Sequence, residues 1–283
     1  MTYQTIISVE DLNNNISNQD WFVFDCRFLL KDPAGGLQKY NKNHISGAQF
    51  ADMDTDLASP MTPISGRHPL PNPDELIKKL QSWGVSNSSQ VICYDDISGA
   101  FAARMWWLLK WLGHNDVAVL DGGIDKWVAS GLPVDTDVPQ RAAGSFRGEA
   151  NNDMWVKVEF VQEEIAQSKI NLIDARSDER FTAADSKTDP VAGHVPGAMN
   201  FPFSDNLSKQ GVFLSAETLQ KRFSSMVSNI ENKQVVSMCG SGVTACHNLL
   251  AMSIAGLPMA RLFVGSWSQW IKDKSRPVAT GKA

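Results

Sequence analysis

The residues with the clearest chemical potential form the segment SMCGSGVTACHN, at positions 237–248. Cys239 follows an apolar run there and precedes small residues, after which the sequence is typical of a helix. In such a turn, consecutive backbone N–H groups can point at one position, and the positive end of the following helix adds to their field. Both effects stabilise an anion and favour the thiolate form of a cysteine. The segment therefore predicts that Cys239 is a nucleophile. The predicted active-site loop comprises Gly240, Gly242, Val243 and Thr244.

Other roles for Cys239 compete with this one. A buried cysteine often serves only as a small packing residue, but that role leaves the glycines unexplained. Cys239 and Cys246 could form a redox pair, although C-x6-C is not a usual redox or zinc spacing. A cysteine phosphatase needs the pattern C-x5-R to clamp phosphate, and position 245 is alanine. The nucleophile is favoured, while packing and the redox pair stay open.

The chain repeats itself, which indicates two copies of one domain. Four blocks of the first half recur in the same order in the second half: 21–27 with 170–176, 44–54 with 194–205, 90–109 with 234–253, and 117–127 with 260–270. The segment between the copies is rich in Pro, Gly, Asp and Asn, as linkers are. We predict a first domain over 1–135, a linker over 136–153 and a second domain over 154–283.

Each copy alternates short apolar runs with helical patterns, which is typical of an α/β domain with a mainly parallel sheet flanked by helices. The predicted strands are 22–25, 91–94 and 117–120 in the first copy, and 172–174, 235–238 and 261–264 in the second. Helices are expected over 99–113 and about 243–255. Ligands of such sheets bind beyond the carboxyl ends of the strands, and Cys239 stands at that place.

The first copy carries Asp95 at the position that matches Cys239. A carboxylate cannot act as a soft sulfur nucleophile. We therefore predict that the first domain is non-catalytic and that the chemistry belongs to the second.

Composition excludes several classes of protein. The 283 residues are 43% hydrophobic and 20% charged, with a net charge of −5, which is ordinary for a globular protein and unfavourable for nucleic-acid binding. Neither a secretory signal nor a membrane span is expected from the sequence. Four scattered cysteines are too few for a disulfide scaffold, so a reducing, cytoplasmic location is expected.

These motifs together resemble a known family. The loop CGSGVTAC, with DAR at 174–176, HVPGA at 194–198, GSWSQW at 265–270 and the tandem repeat, resembles the two-domain rhodaneses. The loop is most similar to that of the 3-mercaptopyruvate sulfurtransferase branch, which reads C-G-S-G-V-T. The thiosulfate-using branch has basic residues directly after the cysteine, where this chain has Gly240 and Ser241.

The resemblance implies a mechanism without a metal or an organic cofactor. Cys239 would take the sulfur of 3-mercaptopyruvate as a persulfide, and pyruvate would leave. A thiol such as thioredoxin, a small thiol or cyanide would then accept the outer sulfur. Ser241 resembles a catalytic family serine that helps to polarise the donor, although a plain turn residue is the alternative.

The donor is a 2-oxo acid, so its carboxylate needs a cationic partner. Arg180 stands at the position of one substrate arginine of the family. The second such arginine is missing before the HVPGA turn, where Lys187 is the available cation. We therefore expect Arg180 and Lys187 to bind the donor, with Lys187 as a point charge.

Further candidates come from the first copy and from the GSWSQW segment. Asp54 and His68 stand where the family has an acidic residue and a histidine at the substrate site, although His68 could equally be a loop histidine. Arg67 is a further possible anion contact. Gln269 replaces a usual glutamate, which predicts weaker local hydrogen bonding.

Two alternative functions remain. Thiosulfate could be the preferred donor, or the chain could be a non-catalytic rhodanese-like carrier of sulfur. Sulfur transfer from 3-mercaptopyruvate and from thiosulfate, compared under the same conditions, distinguishes the first alternative from the favoured function. Loss or survival of transfer after substitution of Cys239 distinguishes the second.

Overall fold

A five-stranded parallel sheet lies at the centre of each of two units in the computed structural model, which describes residues 2–185, 187–227 and 234–282. Unit 1 comprises Met1–Ser59, Leu70–Asn151 and Lys209–Phe213. Unit 2 comprises Pro60–Pro69, Asn152–Ser208 and Leu214–Ala283. The short segment Pro60–Pro69 thus belongs with the second copy of the repeat, although it lies within the first copy in sequence.

Unit 1 contains seven described strands and five described helices. The strands are β1 (Ile6–Ile7), β2 (Trp21–Asp25), β3 (His44–Ile45), β4 (Gln49–Phe50), β5 (Gln90–Tyr94), β6 (Val117–Leu120) and β7 (Val134–Asp135). The helices are α1 (Val9–Asn15), α2 (Gly35–Lys42), α3 (Pro73–Ser82), α4 (Ala102–Trp111) and α5 (Gly123–Ala129). The sheet runs β1-β6-β5-β2-β4 with parallel neighbours, and β3 pairs with β7 in an antiparallel ribbon.

Unit 2 has the same sheet order with its own elements. The strands are β8 (Trp155–Val156), β9 (Ile170–Asp174), β10 (Met199–Asn200), β11 (Gln234–Met238) and β12 (Arg261–Phe263). The described helices are α6 (Val158–Ala166), α7 (Asp178–Thr182), α8 (Ala216–Val227), α9 (Ala245–Ile254) and α10 (Ser266–Trp270). The parallel order β8-β12-β11-β9-β10 matches unit 1 strand for strand. The predicted fold class, two tandem α/β domains with parallel sheets flanked by helices, is confirmed.

The two long helices after the central strands begin later than predicted. α4 starts at Ala102 and α9 at Ala245, whereas the patterns predicted starts at 99 and 243. The residues ahead of each helix form the loop that follows the strand. Their carbonyls accept from the first turn of the helix, as Gly99 does from Ala103 and Val243 from Cys246. Both helices are buried almost all round, which is why their sequences carry so few polar residues.

Each unit has its own apolar core, with Trp127 in that of unit 1 and Trp267 in that of unit 2. Trp106, Trp107 and Trp111 of α4 are also buried. In the described residues, no helix has both the length and the apolar character that a membrane crossing requires.

Two polar arrangements, a buried ion pair and a stacked histidine, recur in both units. The Asp-x-Arg pairs are buried ion pairs, with Arg27 Nε donating to Asp25 at 2.9 Å and Arg176 Nε donating to Asp174 at 3.0 Å. His44 stacks on Tyr40, and His194 stacks on Phe181 with ring centroids 3.7 Å apart. Both arrangements also occur in the first copy, which has Asp95 at the position of Cys239. We therefore assign them a structural role.

The predicted linker, 136–153, runs along unit 1 for most of its length. Its backbone N–H groups at Gly144 and Phe146 donate to carbonyls of Gln81 and Val85, and that of Asn151 donates to Trp111. The segment up to Asn151 is grouped with unit 1. Its role as a linker stays a prediction.

The loop after β5 encloses the carboxylate of Asp95. This side chain is fully buried and accepts four backbone hydrogen bonds, from Ile97 and Gly99 at 2.8 Å, Phe101 at 2.7 Å and Ala102 at 2.8 Å. Burial raises the pKa of Asp95, and these N–H groups oppose that rise by stabilising the charge. The first copy thus shows that a loop of this design can surround a negatively charged group with N–H donors.

Replacement of Asp95 by asparagine is expected to lower the free energy of unfolding by about 2–4 kcal/mol. The amide has one acceptor oxygen, so its NH₂ group would face two backbone donors that now bond to a carboxylate oxygen. Urea unfolding measures the change. Asp125→Asn, an exposed position in the same unit, is the control and should change stability by less than about 0.5 kcal/mol. Equal stability of the two variants would contradict the account of the loop.

Candidate active site

Cys239 is placed directly after β11 and before α9, at the carboxyl end of the central strand. Its side chain is buried, and the N–H of Gly242 donates to its sulfur at 3.2 Å. The N–H of Cys239 itself donates to Ser266 Oγ at 3.1 Å. The sulfur therefore lies inside the loop, where backbone donors can reach it.

Glycine at position 242 is required by the backbone of this loop. Its φ is +78°, in the left-handed region that favours glycine. A side chain there would also collide with the carbonyl oxygen of Val264. From the other side, the N–H groups of Trp267 and Ser268 donate to the carbonyls of Cys239 and Gly240 at 3.0 and 2.9 Å. The loop is thus held on both sides.

Replacement of Gly242 by alanine is expected to cost more than about 3 kcal/mol of stability and to reduce any chemistry at Cys239. The variant combines the left-handed strain with the collision against Val264. Gly256→Ala is the matched control, because Gly256 has a φ of +68° but open space around it. Strain alone should cost the control about 1–2 kcal/mol. Thermal or urea unfolding compares the two, and a control as unstable as Gly242→Ala would show that the collision does not matter.

Ser241 and His68 form a pair beside the cysteine. His68 Nδ1 and Ser241 Oγ are 2.8 Å apart, and both side chains are buried. The predicted residues Ser241 and His68 are therefore brought together, within unit 2. A serine hydroxyl bonded to an imidazole can donate a hydrogen bond to a substrate oxygen or pass on a proton.

Arg180 lies on α7 and is held by a carboxylate. Its Nε and Nη2 donate to Asp189 at 3.0 and 2.8 Å, and the carboxylate also lies 3.4 Å from Arg176. Burial disfavours the charge of Arg176, but Asp174, Asp189 and Cys239 raise its pKa above the usual value. This part of unit 2 is therefore dense in guanidinium groups that carboxylates fix in place.

Gly240 lies against two of the guanidinium groups. A methyl group at this position would be 2.7 Å from Arg180 Nη2 and 3.2 Å from Arg67 Nη2. The small residue after Cys239 thus leaves room for two arginine side chains next to the nucleophile.

Four further predicted residues differ in exposure and in the unit to which they belong. Lys187 is exposed, and its described hydrogen bond is a backbone donation to Asp185. Asp54 belongs to unit 1, where burial, and then the charge of Asp52, raise its pKa. Val243 is buried and Thr244 is the residue before α9.

Cys246 lies on the first turn of α9. Its thiol is buried and donates to the Gly242 carbonyl oxygen over 3.5 Å. All four cysteines, Cys26, Cys93, Cys239 and Cys246, are free thiols.

Sequence reasoning missed two residues of the site. Asp189, which holds Arg180, stands in the segment DPVAG, where nothing in the local pattern signals an ion pair. Ser266, which accepts from Cys239, has a φ of +50°, and the matching Gly123 of unit 1 has a φ of +58°. A serine where the other copy has glycine was the signal that could have identified it.

Gln269 makes a hydrogen bond through its amide nitrogen, and the expectation of weaker hydrogen bonding than with glutamate stays a prediction. Its Nε2 donates to the carbonyl oxygen of Ile64 at 3.1 Å. A glutamate carboxylate could not make this bond, since it has no donor. The amide therefore adds a hydrogen bond to the segment that carries Arg67 and His68.

Comparison with known protein families gives a match over most of the chain. The model of the rhodanese-like domain matches residues 8–130 and 157–273. The chain belongs to the rhodanese family. The predicted resemblance is thereby confirmed, including the two copies of the domain within this rhodanese.

Relatives of this rhodanese carry the names of two kinds of enzyme. A probable 3-mercaptopyruvate sulfurtransferase of Pseudomonas aeruginosa is 47% identical over 283 residues, which cover 99% of this chain and 100% of the relative. A putative thiosulfate sulfurtransferase of Mycobacterium tuberculosis is 32% identical over 99% of this chain and 98% of its own. The structure of 3-mercaptopyruvate sulfurtransferase from Leishmania major has a TM-score of 0.81 at 32% identity, over 94% of this chain and 73% of that one.

Proposed function

We propose that this rhodanese is a sulfurtransferase that moves the sulfur of 3-mercaptopyruvate to a thiol or to cyanide through a persulfide on Cys239. The observation that carries the proposal is the buried Cys239 sulfur, onto which the Gly242 N–H donates at 3.2 Å. The name and 47% identity of the Pseudomonas aeruginosa relative support the choice of reaction. No metal or organic cofactor takes part in this scheme.

The first half of the reaction forms a sulfur–sulfur bond. The Cys239 thiolate attacks the sulfur of the donor, and the bond between that sulfur and the methylene carbon breaks. The electron pair of the broken bond stays on the carbon as the enolate of pyruvate, which takes up the thiol proton of the donor and leaves as pyruvate. The outer sulfur remains on Cys239 as a persulfide.

The loop supports this step by stabilising negative charge on sulfur. The N–H of Gly242, in the loop just before α9, faces the Cys239 sulfur. The four donors around Asp95 in the matching loop of unit 1 give a second example of the same design. Because unit 1 has a carboxylate at this place, we assign it no part in the sulfur chemistry.

Ser241 and His68 are suited to the oxygen and the proton of the donor. With Ser241 Oγ 2.8 Å from His68 Nδ1, the hydroxyl can polarise the donor carbonyl while the imidazole supplies or receives a proton. Asp54 stays a substrate-binding candidate on the resemblance alone.

Arg180 is suited to the donor carboxylate. Asp189 binds its Nε and Nη2, which fixes the plane of the guanidinium. No hydrogen bond of its Nη1 is found within the part of the chain that the structure describes, so this nitrogen is available to the donor. A guanidinium can bind a carboxylate with two parallel hydrogen bonds, which a point charge cannot do.

In the second half of the reaction, an acceptor thiolate or cyanide attacks the outer sulfur, and Cys239 leaves as thiolate. Thioredoxin, a small thiol or cyanide would each serve as acceptor. The four free thiols suit a reducing, cytoplasmic setting, and we propose that location.

Thiosulfate is the second candidate donor, because the Mycobacterium tuberculosis relative is named as a putative thiosulfate sulfurtransferase. The absence of basic residues at positions 240 and 241 favours 3-mercaptopyruvate instead. Steady-state rates with both donors, at the same cyanide concentration, test the choice. A higher kcat/KM for 3-mercaptopyruvate supports the proposal, and a clear preference for thiosulfate overturns it. Failure of both donors would favour a non-catalytic sulfur carrier.

A further inference from the structure

A cavity of about 370 Å³ in unit 2 has mainly apolar walls. The apolar side chains that line it belong to Met61, Pro190, Val191 and Ile271. Met61 is 60% exposed and Val191 is 40% exposed. Apolar walls around a cavity of this size are typical of a site for a small ligand, because the apolar body of a ligand removes their surface from water.

The cavity adjoins the cysteine loop. Two further residues of its wall, Arg67 and Ser268, also lie against Gly240. The N–H of Ser268 donates to the Gly240 carbonyl oxygen at 2.9 Å, and a methyl group at Gly240 would be 3.2 Å from Arg67 Nη2. Because Gly240 follows Cys239 directly, a ligand in the cavity binds beside the loop that carries the nucleophile.

Hydrogen bonds hold the walls of the cavity in place. The segment that carries Met61 is attached through the N–H of Arg67, which donates to Ser268 Oγ at 2.9 Å. On the other side, the indole N–H of Trp267 donates to the Val191 carbonyl oxygen at 2.9 Å. Walls that are fixed in this way lose little conformational freedom when a ligand binds.

The donor and cyanide do not make use of these apolar walls. 3-Mercaptopyruvate has one methylene group, and its ketone and carboxylate are polar. In the proposed function these polar groups are bound by Arg180, Ser241 and His68, and cyanide has no apolar body at all. The apolar cavity therefore suits the remaining reactant, which is an acceptor thiol.

The charges at the cavity favour an anionic acceptor. Arg67 and Lys272 line it as cations, whereas its carboxylate, Asp189, is paired with Arg180 at 2.8 Å. Lys272 is exposed, and in the part of the chain that the structure describes its ammonium group has no ion pair. Positive charges also stabilise the thiolate form of an acceptor, which is the form that attacks sulfur.

We infer that this cavity is the acceptor site, and that it selects small thiols in which an unbranched apolar chain joins the thiol to a carboxylate. The inference rests on the proposed function and names the class of acceptor. The chain of the acceptor packs on Met61, Val191 and Ile271, its carboxylate lies near Lys272, and its thiol faces the persulfide.

The transfer itself exchanges one sulfur–sulfur bond for another. The acceptor thiol loses its proton to water, and the resulting thiolate forms a bond to the outer sulfur of the persulfide. The bond between that sulfur and Cys239 breaks, and its electron pair stays on Cys239 as a thiolate. The acceptor leaves as a persulfide, so no further oxidant or reductant is needed.

The test follows the loss of the outer sulfur from protein that has been loaded with 3-mercaptopyruvate and then freed of donor. Mass spectrometry measures the rate of loss at increasing concentrations of 3-mercaptopropionate, 4-mercaptobutanoate and 6-mercaptohexanoate, which differ only in chain length. We expect the apparent Kd of the acceptor to fall about threefold for each added methylene group. 6-Mercaptohexan-1-ol has the longest chain without the carboxylate, and Lys272→Ala should weaken only 6-mercaptohexanoate, by about two- to fivefold.

Met61→Gln and Val191→Thr make the walls polar at nearly constant size. Each should weaken 6-mercaptohexanoate about three- to tenfold and reduce the dependence on chain length, while the rate with cyanide changes less than about twofold. Met259→Gln and Val278→Thr are the matched controls, because these residues are 38% and 40% exposed in the same unit but do not line the cavity. Both controls should keep the full dependence on chain length.

The inference is overturned if the apparent Kd of the unmodified protein does not depend on chain length, or if Met61→Gln and Val191→Thr together keep the full dependence. It is also overturned if Arg180→Ala, loaded at high donor concentration, loses the dependence while the cavity variants keep it, since the acceptor would then occupy the donor site. These outcomes leave the proposed function intact as long as cyanide removes the outer sulfur. Failure of 3-mercaptopyruvate to load the unmodified protein would instead refute the proposed function.

Discussion

Cys239→Ser is expected to reduce sulfur transfer from 3-mercaptopyruvate to cyanide by more than about a thousandfold. A hydroxyl can occupy the buried position of the thiol, with the Gly242 N–H still able to donate to it. It cannot attack a divalent sulfur with useful rate or carry a persulfide. Thiocyanate formation measures the loss, and unchanged unfolding behaviour would show that the loop is intact.

Cys246→Ser is the control for this variant. The hydroxyl retains a donor toward the Gly242 carbonyl, which the thiol now contacts at 3.5 Å. We expect this variant to keep most of its activity, because the proposed reaction uses one cysteine. A loss as large as that of Cys239→Ser would favour a reaction that needs both thiols, and transfer by Cys239→Ser would contradict the mechanism.

Arg180→Ala is the second substitution with a large expected effect. It removes one guanidinium of the donor site and leaves Asp189, among its contacts in the described part of the chain, with the longer one to Arg176 at 3.4 Å. The carboxylate would then be less well neutralised and would repel the donor carboxylate. We expect kcat/KM for 3-mercaptopyruvate to fall about 100-fold or more, mostly through KM.

Alkylation of Cys239 by iodoacetamide, which is uncharged, separates donor binding from folding in this variant. The rate of alkylation should change far less than kcat/KM, because the hydrogen bonds that hold the cysteine loop do not involve Arg180. Lys169→Ala, at an exposed position in the same unit, controls for the loss of one positive charge. An Arg180→Ala variant with normal KM would show that the donor carboxylate binds elsewhere.

The strands could be predicted because each one is a short apolar run in the sequence and the runs occur in both copies. β2, β5 and β6 are continuous apolar runs, as expected for parallel strands buried on both faces. The same runs recur in unit 2 and adopt the same order. Alignment of the two copies within the sequence also identifies Asp95 as the counterpart of Cys239.

The partners of the site side chains could not be predicted in the same way. Ser241 and His68 are 173 residues apart in sequence, and they meet because Pro60–Pro69 packs with unit 2. Arg180 and Asp189 are only nine residues apart, but α7 and the turn after it decide whether they meet. Side-chain pairs of this kind depend on tertiary packing and leave no periodic pattern.

Arg67 shows most clearly that the placement of a side chain could not be predicted from the sequence. Its sequence position indicated a weak anion contact, and Lys187 was the expected cation. The structure places Lys187 at the surface and brings Arg67 to Gly240. Hydrogen bonds from Arg67 and Gln269 to residues distant in sequence produce that placement.

The most direct test of the central claim is mass spectrometry of the peptide that contains Cys239, after incubation with 3-mercaptopyruvate and before an acceptor is added. The mechanism predicts that this peptide gains the mass of one sulfur atom, that pyruvate appears in equal amount, and that cyanide removes the added mass. Release of pyruvate with an unmodified Cys239 peptide, or with the sulfur on Cys26, Cys93 or Cys246, would contradict it.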